Sequence, residues 1–224
     1  MRRFSYLHIP KTAGTSFTAA LHSVLEVSPS FDPHFRMEAD TARQLDTHTI
    51  VSGHLSYSDY IRWFSDRAAF TILRDPVDRC LSWYWYCRNV VPDGVNAPDV
   101  VSAKHLSPKA YFAQDRSVIF RVVNSQTQQL GGHLCFPDPD EGQVVSRAKA
   151  MLEKMIWIGL AESLECDAAR LREIPEFATL PRIERTNSAS RDFEICAAVR
   201  QQVEAINQGD IELYEYAKKL IATG

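Results

Sequence analysis

The stretch FSYLHIPKTAGTSFTAALHSV, residues 4–24, contains a short apolar run, a polar loop and an amphipathic pattern in immediate succession. Residues 4–9 are mostly apolar or aromatic, and Pro10 after them cannot donate to a strand ladder, so a short buried strand is predicted. Beyond the loop, apolar residues recur at the spacing of one helical face, at Phe17, Ala20, Leu21 and Val24. The chain therefore opens with a strand, a loop and a helix.

Strands and helices continue to alternate further along the chain. Strands are predicted at residues 48–53, 69–73 and 156–160, where short apolar runs occur. The strand at 69–73 leads into a helix, with Asp75 as its N-cap and Pro76 at its first position, where a missing N–H costs nothing. Further helical patterns cover residues 117–131, where Gly131 ends the helix, and residues 142–155, 161–174, 192–207 and 210–222.

Two segments are predicted to be loops because turn residues dominate them, namely residues 89–108 and 136–142. A long loop such as 89–108 is often a lid or a binding loop in a compact domain. No shift in composition marks a linker, so residues 1–224 are predicted to form one domain. The alternating elements predict an α/β fold with a mainly parallel central sheet flanked by helices on both faces.

The bulk composition restricts the class of protein and its surroundings. The chain has 224 residues, of which 45% are hydrophobic and 24% are charged, and its net charge is −3, which argues against nucleic acid or anionic membrane as a partner. We expect no signal peptide and no membrane span, because no apolar run is long enough. The five cysteines form no CxxC pair, so neither a disulfide framework nor a zinc site is predicted, and a cytoplasmic protein is expected.

The loop at residues 10–16 has the composition of an anion-binding site. In an open parallel sheet, ligands bind beyond the carboxyl ends of the strands, where helix N-termini present unpaired N–H groups. We expect Gly14 to let the backbone approach an anion and Lys11 to add a full charge. Three hydroxyl residues would add further donors, namely Thr12, Thr15 and Ser16. A capped helix that follows a surface lysine is the alternative.

This loop differs from the phosphate loop of ATPases. The ATPase pattern GxxxxGK[ST] is absent, because here the lysine precedes the glycine, and no magnesium ligands can be assigned. The residues predict no metal site.

A second anion-binding group is predicted where the strand at 69–73 ends. Arg74 leaves this strand and presents a fork of donors suited to a phosphate, and Ser82 lies about two turns along the following helix. The alternative is that Arg74 pairs with Asp75 or Asp78 and that Ser82 is an ordinary helix residue.

These motifs resemble those of a known family. PKTAGTSF, residues 10–17, resembles the 5′-phosphosulfate loop of sulfotransferases, and LRDPVDRCLSWYWY, residues 73–86, resembles their 3′-phosphate segment. GHLSY, residues 53–57, resembles the segment that carries the catalytic histidine in the heparan sulfate 2-O-sulfotransferase group. Weaker similarities occur in NSQTQQLGG, IGLAESLE and DIELYEYA. The chain thus resembles sulfotransferase family 2, whose members depend on 3′-phosphoadenosine 5′-phosphosulfate (PAPS).

The resemblance implies one sulfotransferase domain with a P-loop-type three-layer fold, PAPS as cofactor, and transfer of its sulfuryl group to a hydroxyl, which leaves 3′,5′-adenosine bisphosphate. It assigns the 5′ end of the nucleotide to Lys11, Thr12, Ala13, Gly14, Thr15 and Ser16. It assigns the 3′-phosphate to Arg74 and Ser82. Residues 184–190 are similar in position to a loop that closes over the nucleotide, which adds Arg185, Thr186 and Ser188.

In-line transfer to a hydroxyl needs a base, and histidine has the pKa best suited to that task near neutral pH. We assign this role to His54, which follows the second predicted strand on the ligand side of the sheet, after Gly53; a purely structural role is the alternative. His8 is interpreted as a strand residue. Lys11, with the N–H groups of residues 13–16, is predicted to stabilise charge on the departing phosphate oxygen.

The acceptor is the least specified part of the prediction. The aromatic run at residues 83–86 either packs in the core or contacts the acceptor, and Asn124 and Gln128 either line the acceptor cleft or cap neighbouring backbone. The loops at 30–47 and 89–108 are expected to determine acceptor choice. Because the 25 Lys and Arg residues form no cluster and are outnumbered by 28 Asp and Glu, a neutral or weakly charged carbohydrate or small metabolite is favoured.

Two other functional classes stay open from the sequence. A P-loop kinase would use the same loop to transfer phosphate from ATP with magnesium. A noncatalytic nucleotide-binding protein would keep Lys11 and Arg74 but would not depend on His54.

Overall fold

A computed structural model describes residues 2–31, 37–133, 140–184 and 196–223. Its centre is a four-stranded sheet in which all strands are parallel, in the order β2-β1-β3-β4. The strands are β1 (Phe4–Leu7), β2 (Ile50–Gly53), β3 (Ala68–Leu73) and β4 (Trp157–Leu160). Three of them lie within predicted apolar runs, and β3 begins one residue before its predicted run at 69–73, so the predicted strands and their parallel arrangement are confirmed.

Helices follow the strands on both sides of this sheet. They are α1 (Gly14–His22), α2 (Ala39–Leu45), α3 (Tyr57–Trp63), α4 (Pro76–Asn89), α5 (Pro98–His105), α6 (Pro108–Tyr111), α7 (Ser125–Gly131), α8 (Glu141–Lys154), α9 (Leu164–Leu171), α10 (Ala197–Ile206) and α11 (Gln208–Thr223). Short 3₁₀ turns lie at Phe120–Val122 and Pro175–Phe177. In the described parts of the chain, no helix is both long and apolar enough to cross a membrane.

Alternate residues of each strand enter two separate hydrophobic cores, one on each face of the sheet. Leu7 and Val51 belong to the core formed with helices α2, α3, α7, α8 and α11. Tyr6, Ile50 and Phe70 belong to the opposite core, formed with α1 and α9. Because both faces are covered, the strands are buried along almost their whole length, as is usual for parallel sheets. The predicted three-layer α/β fold is confirmed.

The predicted loop at 89–108 is wrong in its second half. Residues 98–105 form helix α5, with Pro98 in its first turn, where the missing N–H is tolerated. Val100 and Ala103 of this helix are buried in a third core, which also includes α4, α6 and α10. The prediction failed because prolines and an aspartate suggested turns, whereas burial against α4 stabilises a helix.

The predicted helix over residues 117–131 ends at Gly131 as expected, but its first part is wrong, because Asn124 interrupts the helical conformation. This residue has a left-handed conformation, with φ 45°, and separates a 3₁₀ turn from α7. Asparagine tolerates that conformation better than most residues do. Its side-chain oxygen accepts a hydrogen bond from the Asp210 N–H at 3.1 Å. Of the two predicted roles of Asn124, the structure therefore shows the second, capping of neighbouring backbone.

Candidate functional site

The loop between β1 and α1 has an unusual backbone. Lys11 and Ala13 both have positive φ, 71° and 68°. The Thr12 hydroxyl is buried and donates to the Ile9 carbonyl at 2.8 Å, which fixes the turn. In this structure the hydroxyl bonds within the loop, and its predicted contact with an anion stays a prediction.

Helix α1 begins in a form suited to an anion. Its N-cap is Ala13, which has no side-chain cap, and its first turn contains no acidic residue. The N–H groups of residues 14–16 and the positive end of the helix dipole therefore lie at the carboxyl edge of the sheet without a negative side chain from the helix itself. Thr15 and Ser16 lie in this first turn, as the sequence predicted. Ser16 is half-buried and Thr15 is exposed.

Gly14 lies in close contact with the His8 ring. Its φ is not positive, but a Cβ atom added to it would lie 1.8 Å from Nε2 of His8. The absence of a side chain therefore makes room for the His8 ring, and the close approach of an anion to this backbone stays a prediction. A sequence alone cannot distinguish these two causes, since each requires only a glycine.

Lys11 and Arg74 lie next to each other at the end of the sheet. The Arg74 Nη1 donates to the Lys11 carbonyl at 3.1 Å, and the Lys11 amine lies 4.1 Å from the centre of the Tyr86 ring. Burial lowers the pKa of Lys11, and the nearby positive charge of Arg74 lowers it further. The structure thus brings together the two cations that the sequence assigned to one ligand.

Helix α4 orients Ser82 towards the same region. Asp75 caps this helix by accepting from the Asp78 N–H at 2.9 Å, as predicted, and Pro76 occupies the first turn. Ser82 precedes Tyr86 by four positions, so both side chains lie on one face of α4. Because Tyr86 contacts Lys11, this face is the one directed at the loop after β1.

His54 is held at the end of β2 by a close backbone approach. Gly53 has φ 151°, and a Cβ there would lie 2.3 Å from the Phe31 carbonyl oxygen. The His54 N–H donates to that same oxygen at 2.7 Å. The glycine therefore allows residues 27–31 to pass beside β2 and fix the backbone of His54.

A second imidazole lies beside His54. His8 falls just beyond β1, and its ring centre is 4.9 Å from that of His54, with the planes tilted by 54°. The backbone of His8 continues the ladder one step beyond β1, close to the predicted strand, while its ring lies at the carboxyl edge of the sheet. Both rings are half-buried.

Helix α7 supplies two residues that the sequence analysis missed. Gln126 bonds the backbone of Arg74 in both directions, accepting from its N–H at 3.0 Å and donating to its carbonyl at 2.9 Å. Gln129 donates to the carbonyls of His8 at 2.9 Å and Leu55 at 3.1 Å. The only sequence signal was the similarity of NSQTQQLGG to a family segment, since uncharged amides suggest no particular chemistry.

A cavity of 510 Å³ lies beside the first turn of α1. It is lined by Ala13 and Ser16, by residues 162–166 after β4, and by residues 182–184. The predicted Arg185, Thr186 and Ser188 follow this last segment and lie outside the described residues. Gln128, the other predicted acceptor-cleft residue, is buried within α7.

Comparison with known proteins agrees with the motifs and with the fold. Residues 2–101 match the model of a family described as Sulfotransferase family. No curated protein matches the chain.

Among solved structures, a sulfotransferase from Alicyclobacillus acidocaldarius is similar to this chain, with a TM-score of 0.50 and 14% identity, over 99% of this chain and 96% of the other. At that identity the likeness concerns the fold. The predicted resemblance is thus confirmed: residues 2–101, which carry both motifs and His54, match the model of the sulfotransferase family, and the fold of the chain is similar to that of a sulfotransferase.

Proposed function

We propose that this protein is an enzyme of one domain that transfers the sulfuryl group of PAPS to a hydroxyl of a carbohydrate or small-molecule acceptor. One observation carries the proposal. Arg74, from the segment that resembles the 3′-phosphate motif, donates at 3.1 Å to the carbonyl of Lys11, from the loop that resembles the 5′-phosphosulfate motif. Two cations from separate motifs therefore meet within reach of a single nucleotide.

The chemistry of the donors fits the two charged ends of such a nucleotide. Burial and the nearby positive charge of Arg74 both lower the pKa of Lys11, so an anion close to these two cations would be bound favourably. The first turn of α1 adds N–H donors without an acidic side chain. Ser82 adds a hydroxyl from the face of α4 that is directed at Lys11.

The nucleoside part of the donor would enter the cavity beside α1. Its 510 Å³ falls within the range of about 300–1,000 Å³ typical of small-molecule sites. Ala13 and Ser16 line both this cavity and the anion loop, so a phosphate in the loop and a base in the cavity are compatible with one bound molecule.

Bound PAPS would supply a sulfuryl group on a phosphate leaving group. As the acceptor oxygen forms a bond to sulfur and the bond from sulfur to the phosphate oxygen breaks, Lys11 would stabilise negative charge on that departing oxygen. His54 would take the proton of the acceptor hydroxyl on a ring nitrogen. Arg74 and Ser82 would hold the 3′-phosphate and so fix the direction of attack.

The acceptor is proposed to be neutral or weakly charged. The net charge of the chain is −3, and its lysines and arginines are spread along the sequence. A highly sulfated or carboxylated polymer would require a concentrated positive surface, since charge complementarity determines such recognition.

The test is an acceptor screen with isotope-labelled PAPS and detection of the sulfated product by mass spectrometry, with ATP and magnesium as a parallel donor. We expect transfer from PAPS. Substitution of His54→Ala should reduce turnover by about 100-fold or more while the protein still binds 3′,5′-adenosine bisphosphate. Arg74→Ala should mainly weaken that binding.

His22→Ala is the control, because His22 is exposed at the far end of α1. Transfer from ATP in place of PAPS would favour the kinase alternative. Nucleotide binding without turnover on any hydroxyl acceptor would favour a noncatalytic protein. Full turnover in His54→Ala would remove His54 from the mechanism.

A further inference from the structure

We propose that His8 is a positioning residue for sulfuryl transfer, which holds the ring of His54 and links it to the nucleotide-binding loop. The inference rests on the proposed function. It is carried by the contacts of the His8 ring with two parts of the site: Gly14, at the start of α1, and His54, at the end of β2.

The sheet itself sets the two histidines side by side. Leu7 of β1 is paired with Gly53 of β2, so the residues that follow them occupy equivalent positions on adjacent strands. The His8 N–H donates to the Gly53 carbonyl at 2.9 Å, which continues the ladder one step beyond β1. The ring centres are 4.9 Å apart as a direct consequence of this register.

The ring of His8 is fixed on its other sides. It stacks on Tyr6, with ring centres 5.4 Å apart and planes tilted by 14°. Gln129 donates to the His8 carbonyl at 2.9 Å from the opposite core. Moving the ring away from His54 would therefore disturb its stack on the buried Tyr6, while the bond from Gln129 holds the backbone of His8 in place.

Gly14 shows how closely the nucleotide loop depends on this ring. An added Cβ would lie 1.8 Å from Nε2 of His8 and 2.2 Å from its Cδ2, distances at which one of the two groups must move. Any shift of the first turn of α1 is thus transmitted to His8, and from His8 to His54. We infer that His8 keeps His54 in register with a nucleotide bound at α1.

The experiment compares His8→Ala, Gly14→Ala and the double variant with the wild type. His8→Ala should lower kcat roughly 10- to 100-fold, with a nearly unchanged KM for PAPS, because a base misplaced by about 1 Å loses that much rate. His8→Gln, which keeps a polar side chain of similar reach, should recover part of kcat. His22→Ala again serves as the matched control on an exposed histidine.

Gly14→Ala should weaken binding of 3′,5′-adenosine bisphosphate, measured by calorimetry, since the new methyl group and the His8 ring cannot both occupy their positions. Removing the ring removes this clash, so the double variant should bind nearly as well as the wild type. Its kcat should nevertheless stay as low as that of His8→Ala. Thermal unfolding of each variant verifies that the proteins are folded.

Two results would overturn the inference: a wild-type kcat in His8→Ala, or a double variant that binds as weakly as Gly14→Ala alone. The binding measurement needs no turnover, so it tests the contact between His8 and Gly14 separately from the proposed function. If the wild type transferred no sulfuryl group to any acceptor, the proposed function would fail. That failure would not depend on whether the double variant recovers the binding lost in Gly14→Ala.

Discussion

Backbone conformation at single residues determines the shape of the anion loop. Lys11 and Ala13 have left-handed φ values without being glycines, which costs about 1–2 kcal/mol for each. The turn persists because the Thr12 hydroxyl bonds the Ile9 carbonyl and Arg74 bonds the Lys11 carbonyl. Local strain at the loop is thus offset by contacts that also bring Arg74 to the site.

The charge of Lys11 predicts a pH dependence of nucleotide binding. Its pKa lies below the ordinary value of 10.5 because of burial and of Arg74. Since the protonated amine attracts phosphate, affinity for 3′,5′-adenosine bisphosphate should fall as pH rises through this lowered pKa. Calorimetry from about pH 7 to about pH 10 should show the decline at lower pH than the titration of a free lysine would give.

Lys11→Arg is the matched variant, because a guanidinium stays charged throughout this range. Its affinity should change little with pH, whatever its absolute value. An equal decline in both proteins, or a flat profile for the wild type, would show that Lys11 does not control binding. Circular dichroism at each pH excludes unfolding as the cause.

Among the elements, α7 organises the site although it is rich in polar residues. All seven residues of Ser125–Gly131 are buried. Asp210 of α11 accepts from the N–H groups of Gln126 at 3.2 Å and Thr127 at 2.7 Å, which satisfies the start of the helix. Because its own N-terminus is capped in this way, α7 can direct Gln126 and Gln129 to the ends of the strands.

We expect Gln126→Ala to damage both stability and nucleotide binding. The substitution leaves the N–H and the carbonyl of Arg74 without their partner, at a cost of about 1–3 kcal/mol in the free energy of unfolding. Without these two hydrogen bonds to its backbone, Arg74 should lose its orientation. Affinity for 3′,5′-adenosine bisphosphate should then fall roughly tenfold, equivalent to about 1.4 kcal/mol.

Urea unfolding and calorimetry measure the two effects of Gln126→Ala. Gln44→Ala, at an exposed position of α2, is the control and should change neither quantity beyond about 0.5 kcal/mol. An unchanged affinity in a destabilised Gln126→Ala would mean that Arg74 keeps its orientation without α7.

The same elements show what a sequence can and cannot predict here. The strands and the positions of Lys11 and Arg74 were predictable because buried runs, charges and turn residues are local signals. The hydrogen bond from Gln129 to the His8 carbonyl was not predictable, because it joins residues 121 positions apart through an uncharged amide. The position of His8 beside His54 was missed for a related reason, since it depends on the register of two strands that are distant in the sequence.

At the scale of the whole molecule, the carboxyl and amino edges of the sheet carry different kinds of residues. Lys11, His54 and Arg74 all lie beyond the carboxyl ends of strands, where ligands bind in open parallel sheets. Arg67, just before β3, lies at the amino edge and is almost completely buried. We infer that the carboxyl edge provides binding and chemistry, while the amino edge contributes mainly stability.

The contacts of Arg67 tie the starts of three strands together. Its Nη1 donates to the carbonyls of Phe4 at 3.2 Å, His48 at 3.0 Å and Thr49 at 3.2 Å. Its Nη2 donates to the Asp46 carbonyl at 2.8 Å, and its Nε bonds the Asp46 carboxylate at 3.0 Å. A planar guanidinium can make this set of bonds, whereas the single ammonium of a lysine cannot.

Arg67→Ala is therefore predicted to lower the free energy of unfolding by about 3–5 kcal/mol, because it removes the side-chain donor from four carbonyls at the starts of the strands. The Asp46 carboxylate adds little to this loss, since it is partly exposed and keeps its bond from Arg3. For a chain of this size, Tm should fall by on the order of 10 °C. Arg67→Lys should recover only a small part of the loss. Arg43→Ala, which removes an exposed ion pair with Asp40, should change stability by less than about 1 kcal/mol.

The decisive comparison is between stability and binding in the same protein. At temperatures below its own Tm, Arg67→Ala should bind 3′,5′-adenosine bisphosphate with nearly wild-type affinity, because the hydrogen bonds of Arg67 lie at the amino edge of the sheet. Gln126→Ala, in contrast, should lose affinity. A large loss of affinity in folded Arg67→Ala would mean that distortion at the amino edge spreads along the strands to Lys11 and Arg74, and that the two edges of the sheet are not independent.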